Sequence, residues 1–477
     1  MCFTGPHAAL KACSYCHEPR LNPSGRPRKR FIYIPLIPRL IAMARSTSAA
    51  TRMKYREFEH THESGKISDV FNGTHYAKLI REKVIVNSVE LPHRFFQDPR
   101  NVALGLSTDG FAPFRHRTTT CWPLILFNYN LPPEDQFHVS NIISLGIIPG
   151  PKKPIDMDSF LWPLVEEMLH LAAGVTAFDA LSHSTFVLRA YIILVFGDIP
   201  AVSLLMRMKG HNGLFPCRFC KIKGLKVPGP KATTHYVPLH RVNHPTVQGS
   251  ADPSIIKTYD GAVLPLRRHE EIRAQGEHVE ATLVKSRREA LAKEYGVKGV
   301  SILFNLSSLM FPSCFPYDFM HLIWENVIKN LILLWTGDFK GLDEGSGCYQ
   351  INATVWAAIG SATAVSGSTI PGCYGTRPPN FVENRSSTTA DTWSFWTLYL
   401  GPVLLQQKFK DKKYYDHFIK LVNMLHRCLQ FTLTMADILD LRQGLIDWVK
   451  VFEESVYVLF LLSEFGSRSC TQVLLST

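Results

Sequence analysis

Acidic residues are missing from two long stretches of this 477-residue chain. From Arg20 to Arg56 there are ten Lys/Arg and no Asp or Glu, and from Ile199 to Ala251 there are eight Lys/Arg and no acid. Blocks of one sign read as footprints on phosphate rather than as an evenly solvated surface, in keeping with a net charge of +12 and a pI near 9.1. Cysteine is scarce: eleven residues are too few for a disulfide scaffold, and two CxxC pairs point to metal in a reducing compartment. No apolar run reaches ~18 residues, and the longest, TFVLRAYIILVFG, carries Arg189, so no membrane span is expected. Nor does a basic region followed by an apolar one open the chain, so no secretory signal is expected. The composition, 46% hydrophobic and 19% charged, excludes a disordered protein and leaves room for more than one domain.

What is present begins with cysteines. Residues 1–30 hold Cys2, Cys13 and Cys16. Thiolates at CxxC spacing on a tight turn supply two adjacent corners of a tetrahedral zinc site, so this is a zinc-knuckle-like segment one ligand short, or else free thiols. RPRKRFIYIPLIPRLIAMARS follows, with aromatics among basic residues; it fits a DNA-phosphate contact, a nuclear-import signal or a solvated linker. Residues 57–100 are mixed and polar, and carry no recognisable chemistry.

From residue 102 the pattern becomes regular. VALGLST reads as a buried strand ending at Asp109-Gly110, and WPLILFNYN (122–130) and NIISLGIIPG (141–150) read as two more. FLWPLVEEMLHLAAG (160–174) has helical spacing. FVLRAYIILVFG is a fourth strand leading into Asp198, and IPAVSLLMRMK opens a second helix with proline near its first turn. Three strands, a helix, a fourth strand and a helix is the order of a ribonuclease-H-like fold, in which the first and fourth strands are neighbours. Asp109 and Asp198, 89 residues apart, would then converge and could share Mg²⁺ or Mn²⁺ through hard oxygen ligands, as phosphodiester cleavage requires. Taken singly, each aspartate is as well explained as a turn or helix-cap residue. PCRFC places Cys217 and Cys220 beside Arg218, Lys221 and Lys223; the pair is half of a Zn²⁺ site, with His211, His235, His240 and His244 as nearby donors, or else a reduced surface loop.

The segments LGLSTDGFAPF, CWPLILFNYNLPPE, GIIPGPKKP, FGDIPA, MKGHNG-PCRFC and FPYDFMHLIWENVIKN resemble those of CACTA-type (En/Spm-like) cut-and-paste DNA transposases, over roughly residues 1–450. The resemblance implies a ribonuclease-H-like core with a DDE triad whose first two acids are Asp109 and Asp198. It also implies a zinc half-site at Cys217 and Cys220 completed by a later histidine pair. Asp318 and His321 match a D-x-x-H motif of the family, and Glu325 stands one turn further along that helix. They either support the metal site or donor DNA, or are a helix-start Asp and a satisfied His at a packed helix end. Beyond LRQGLIDWVK the chain runs VYVLFLLSEFGSRSCTQVLLST, which does not resemble the family's continuation, and Cys2 lies almost at the start. The resemblance therefore implies a chain truncated at both ends, with its third acid missing unless Glu325 replaces it.

The expected architecture is α/β: a Cys-containing segment and basic linker (1–56), a connecting region (57–100), the first part of the ribonuclease-H-like core (101–225), and a largely helical insertion and C-terminal region (226–477). Within the last, 266–296 reads as one charged helix, 345–380 as loop, and 414–430 and 436–452 as amphipathic helices. The expected function is DDE-type transposition: metal-dependent cleavage and transfer of DNA strands in the nucleus, acting on transposon ends and target. A homo-oligomer is implied by the family, and catalysis is expected to be impaired by the missing acid. The competing expectation is a non-catalytic, transposase-derived zinc- and DNA-binding protein.

Overall fold

Val102–Thr108 is a strand whose two faces are both covered, which is why VALGLST is a continuous apolar run rather than an alternating one. In a computed structural model of the chain this strand, β1, is central to a four-stranded mixed sheet. The structure describes residues 1–113, 120–226, 235–242, 244–253, 255–338, 347–374, 377–384 and 388–453. The closing VYVLFLLSEFGSRSCTQVLLST lies outside the described residues. The chain divides into two compact units, Met1–Gly210 with Arg267–Pro316, and His211–Leu266 with Tyr317–Thr477. The expected boundary at 225/226 thus falls inside the second unit, and residues 267–316 belong with the sheet.

In the first unit β1 is followed by β2 (Cys121–Asn128) and β3 (Ile143–Pro149), then helix α1 (Asp158–Ala173), the hairpin strands β4 (Val175–Asp179) and β5 (Ser184–Leu188), strand β6 (Ala190–Phe196) and helix α2 (Ile199–Leu205). The sheet order is β3-β2-β1-β6, antiparallel except for the parallel β1–β6 pair. The expected single strand over FVLRAYIILVFG divides at Arg189: its first part pairs in the β4–β5 hairpin, and only β6 joins the sheet. One sheet face packs Leu104, Leu106, Leu124, Leu126 and Ile192 against Leu161, Leu164 and Met168 of α1. The opposite face carries Ala103, Tyr129, Tyr191 and Ile193 in an aromatic cluster with Phe71, Phe95 and Phe96. The rings of Phe95 and Phe96 meet Tyr191 edge-on at 4.8 and 5.1 Å.

Both sheet edges are covered, as an unpaired edge requires. Along β3, Ile34 donates its amide to Leu145 at 2.8 Å, and Gly146 lies so close to Ile32 that a Cβ there would sit 2.3 Å from its carbonyl oxygen. The Glu167 carboxylate of α1 accepts from Tyr33 Oη and from the amides of Leu36 and Ile37, at the start of the helix Ile37–Arg45. The apolar half of the basic linker is therefore structural. Along β6, Val195 donates to Cys314 O at 2.8 Å, and Ser308 Oγ donates to Ile192 O at 2.6 Å. The expected charged helix over 266–296 is two helices, His269–Ala281 and Lys285–Tyr295. They break at Thr282–Val284, where the β-branched Thr282 and Val284 are extended.

The second unit is helical around a tryptophan-rich core that includes Trp335, Trp356, Trp396, Phe418 and Trp448. Met320–Ile328 is a π-helix continuous with the α-helix Lys329–Trp335. The segment read as loop over 345–380 contains a helix, Ala353–Ser366, capped by Asn352 and rich in alanine, the strongest helix former. Its Gly360 faces Asn380 and Val382, where a Cβ would come within 2.6 Å of both, so this small residue serves close packing rather than a turn. Lys412–Cys428 and Met435–Val451 are helices as expected.

Candidate functional site: the carboxyl ends of β1 and β6

The parallel register pairs Leu104 with Ile192 and Gly105 with Leu194, leaving Ile193 as an extra residue in β6. Past this bulge Ser107 is level with Phe196. Asp109 and Asp198 each come two residues after this pair, just past the neighbouring ends of the two strands; with Ile193 in regular pairing Ser107 would be level with Val195 instead. Bulges re-aim side chains in this way beside functional sites. Thr108 and Gly197 lie in close backbone contact just before the two acids.

Asp109 turns the chain out of β1. Its Oδ1 accepts from the Gly110 amide at 2.6 Å, and Gly110 lies flat against Trp122, where a Cβ would come within 2.6 Å of the ring. Phe111 then bridges to Cys121, which fixes the turn. Asp198 is the N-cap of α2, with Oδ1 accepting from Ala201 at 2.6 Å. Capping and a second role are compatible, because a carboxylate has about four acceptor positions on two oxygens. Both aspartates remain partly open to solvent. Two carboxylates on adjacent strand ends are a donor set that fits a hard divalent cation such as Mg²⁺.

Cys217 and Cys220 lie in the second unit and are buried in its core, not on a surface loop. Cys217 Sγ accepts from the amides of Phe219 and Cys220 at 3.2 and 3.3 Å, and Tyr317 Oη lies 3.4 Å away. Burial pushes this thiol up, but hydrogen bonds from Cys220, Tyr317 and the two amides outweigh it and bring the group down to about 5. The buried Arg218 lies over the Tyr317 ring at 3.7 Å, adding a cation beside the thiol. A buried sulfur pair in which Cys217 favours the thiolate suits a cation such as Zn²⁺.

The same packing brings the D-x-x-H pair to the cysteine loop, since Tyr317 immediately precedes Asp318. His321 Nδ1 lies 3.1 Å from Asp318 Oδ2, and the His321 amide donates to Asp318 Oδ1 at 3.1 Å. Burial raises the Asp318 carboxyl, and the bonds and charge of His321 more than reverse it, so that it stays below the usual range. Glu325 also lies in this second unit, on the π-helix, with Lys329 Nζ 3.4 Å from its Oε1. A π-helix of nine residues is uncommon, and such segments recur at functional sites.

At the N-terminus, Cys13 and Cys16 share one turn: Cys13 donates its amide to Glu18 O, and the His17 amide returns to Cys13 O. Burial raises the Cys13 thiol, but hydrogen bonds from Cys16 and Tyr15 leave it lowered. Cys2 packs instead against the first unit's core, its amide bonded to Ser159 Oγ at 2.8 Å, and burial raises its thiol. Among the described residues no group of three or more His, Cys, Asp or Glu side chains is placed to hold a metal ion. Nor, among them, is any helix long and apolar enough to cross a membrane.

Three participants escaped sequence reasoning. Gly197 and the Ile193 bulge shape the strand ends that lead to the acids, and no local pattern marks either. Tyr317 could have been suspected from its place beside Asp318, but its contact with Cys217 spans 100 residues. A search of curated proteins finds no match. Residues 86–238, which contain both aspartates and the buried cysteine pair, match the family model described as transposase family tnp2, and this stretch of the chain is similar to transposases of that family.

Proposed function

We propose that the chain is a DNA transposase of the DDE type, of the CACTA (En/Spm-like) kind, with a ribonuclease-H-like core formed by the mixed sheet. The observation that supports this reading is that Asp109 and Asp198 follow directly on β1 and β6, two neighbouring parallel strands, within the segment similar to transposases. Asp109 and Asp198 would hold Mg²⁺ or Mn²⁺, which supplies Lewis-acid stabilisation of the oxygens in phosphodiester cleavage and strand transfer. The chain's own part is to fix the two carboxylates: Asp109 through Gly110 and Trp122, Asp198 through the first turn of α2. The family's third acid would be missing and catalysis impaired, unless Glu325 replaces it. The substrates would be transposon ends and target DNA, handled by a homo-oligomer in the nucleus.

Cys217 and Cys220 would hold Zn²⁺ in a structural capacity, with Asp318 and His321 in the packing around them. Their burial in the helical core supports a role in stability rather than in chemistry. Cys2, Cys13 and Cys16 are the weaker zinc candidates, since only the latter two share a turn.

A second reading, a non-catalytic transposase-derived protein that binds DNA and zinc, is favoured by the capping role of Asp198, which would survive loss of catalysis. Supercoiled-plasmid nicking in Mn²⁺ separates the two. The first reading expects nicking by the wild-type chain that disappears in both Asp109→Asn and Asp198→Asn. No nicking by a folded, zinc-loaded chain supports the second, and nicking that survives both substitutions overturns the site assignment.

A further inference from the structure

Three lysines of the first unit are gathered without a counter-ion among the described residues. Lys209 and Lys298 flank an antiparallel bridge between Met208 and Val297, closed by Lys209 N to Gly296 O at 2.9 Å and Lys298 N to Arg207 O at 2.7 Å. Lys153 lies close enough to act electrostatically on Lys298, as do Lys209 and Arg207. Arg207 is already answered: its Nη1 lies 2.5 Å from Glu280 Oε1 and 3.6 Å from Asp158 Oδ2. Among the described residues none of the three lysines has an ion pair, and all three are exposed. Partial burial first, and then the charges of Lys153, Lys209 and Arg207, hold the Lys298 ammonium below its usual value.

Holding unpaired like charges together is unfavourable, and a backbone bridge that fixes two of them makes sense where an anion completes the set. The position says which anion. Lys153 lies four residues beyond Pro149, which pairs with Cys121, and Cys121 bridges Phe111, two residues past Asp109. The GPKKP loop thus leaves the sheet at the end where Asp109 turns. α2 carries the chain from the Asp198 cap to Arg207, and seven helical residues span roughly 10 Å. We propose that Lys153, Lys209 and Lys298 form a clamp for the phosphodiester backbone of DNA flanking the carboxylate pair, a positioning site that rests on the transposase reading above.

The test is binding of a labelled mixed-sequence DNA duplex to the full chain across a salt series. It compares wild type, the triple variant Lys153→Gln/Lys209→Gln/Lys298→Gln, and a control triple of exposed lysines elsewhere, Lys285→Gln/Lys293→Gln/Lys408→Gln. Three lost phosphate contacts should flatten the slope of log K against log salt by about 2–3 and weaken binding about tenfold or more at moderate salt, while the control keeps the wild-type slope. The corresponding Lys→Arg triple should restore both. With the repulsion relieved, the Gln triple should also unfold at a higher temperature than wild type, so weakened binding cannot be laid to misfolding. Equal slopes in wild type and the clamp triple overturn the clamp and leave the transposase reading standing. A flattened slope in the clamp triple, with nicking indifferent to Asp109→Asn and Asp198→Asn, keeps the clamp and overturns the reading it rests on. The same series with duplex RNA separates a DNA clamp from one for any phosphodiester chain: equal losses on both would overturn the assignment to DNA.

Discussion

A Cβ placed on Gly197 would stand 2.5 Å from the carbonyl oxygen of Thr108. Each of these residues immediately precedes one of the two aspartates, so the strand ends that lead to the acids meet through a backbone contact that only glycine permits. Gly197→Ala should push the ends of β1 and β6 apart. The obstacle is backbone rather than a yielding side chain, so a loss of about 1–3 kcal/mol is expected. Urea unfolding would measure it, and plasmid nicking should fall further than the stability loss explains.

Asp198 has two separable duties. Asn is as good an N-cap as Asp, so Asp198→Asn should leave the unfolding temperature near that of wild type. Asp198→Ala should lose about 1 kcal/mol through the freed amide of Ala201. Both should abolish metal-dependent nicking. Equal stability of the two variants would contradict the cap.

Glu167 moors the 31–37 segment over the β3 edge. Burial, then the hydrogen bond and charge of Glu167, push the Tyr33 phenol far above its usual range, which marks how closely the pair is held. Glu167→Ala strands the Tyr33 hydroxyl and two helix-start amides, and should lower stability by about 2–3 kcal/mol. It should also raise light scattering on standing, because the uncovered strand edge offers itself to other chains. Scattering unchanged from wild type would mean that the edge stays covered without the carboxylate.

Asp158, at the start of α1, supplies a pH dependence. Burial lifts its carboxyl from the usual 3.8 to about 7, with Arg207 opposing. The folded pKa exceeds the unfolded one, so its contribution to stability is complete below about 3.8 and is lost as pH rises through about 7. Against Asp158→Asn, wild type should therefore lose ground steadily between these limits and hold a constant deficit above them. Thermal unfolding of both proteins across that pH range is the measurement; parallel curves would mean the carboxyl is not held protonated.

Zinc content gives the last prediction. If Cys217 and Cys220 hold zinc as proposed, Cys217→Ser and Cys220→Ser should each reduce the zinc content and lower the unfolding temperature by several degrees, while Cys2→Ser should leave that zinc in place. Elemental analysis of the purified variants reports directly on the assignment.

The sheet was legible in the sequence because each of its strands is a buried run closed by a turn residue. Asp109 and Asp198 stood out for the same reason: each follows such a run directly. The partition of the molecule was not legible. Residues 267–316 look like an insertion because their helices are charged, yet Leu303, Phe311 and Phe315 complete the first unit's core. Periodicity reports whether a face is buried, but not against which strand. The helix Ala353–Ser366 was hidden by composition, since Ser, Thr and Gly signal a loop unless alanine and a cap outweigh them. The Cys217–Tyr317 contact belongs to tertiary packing alone.

Interleaving the chain also orders its assembly in time. β6 emerges from the ribosome by residue 196, but the outer partner of its Val195 amide is Cys314. At ~5–20 residues per second, that partner arrives roughly 6–24 s later. Until then the strand that leads to Asp198 presents a bare edge, during which the second-unit stretch from His211 to Leu266 is made. The sheet-bearing unit of the protein is thus begun first and finished late, and a nascent chain halted before residue 314 would expose a sticky sheet rather than a smaller folded unit.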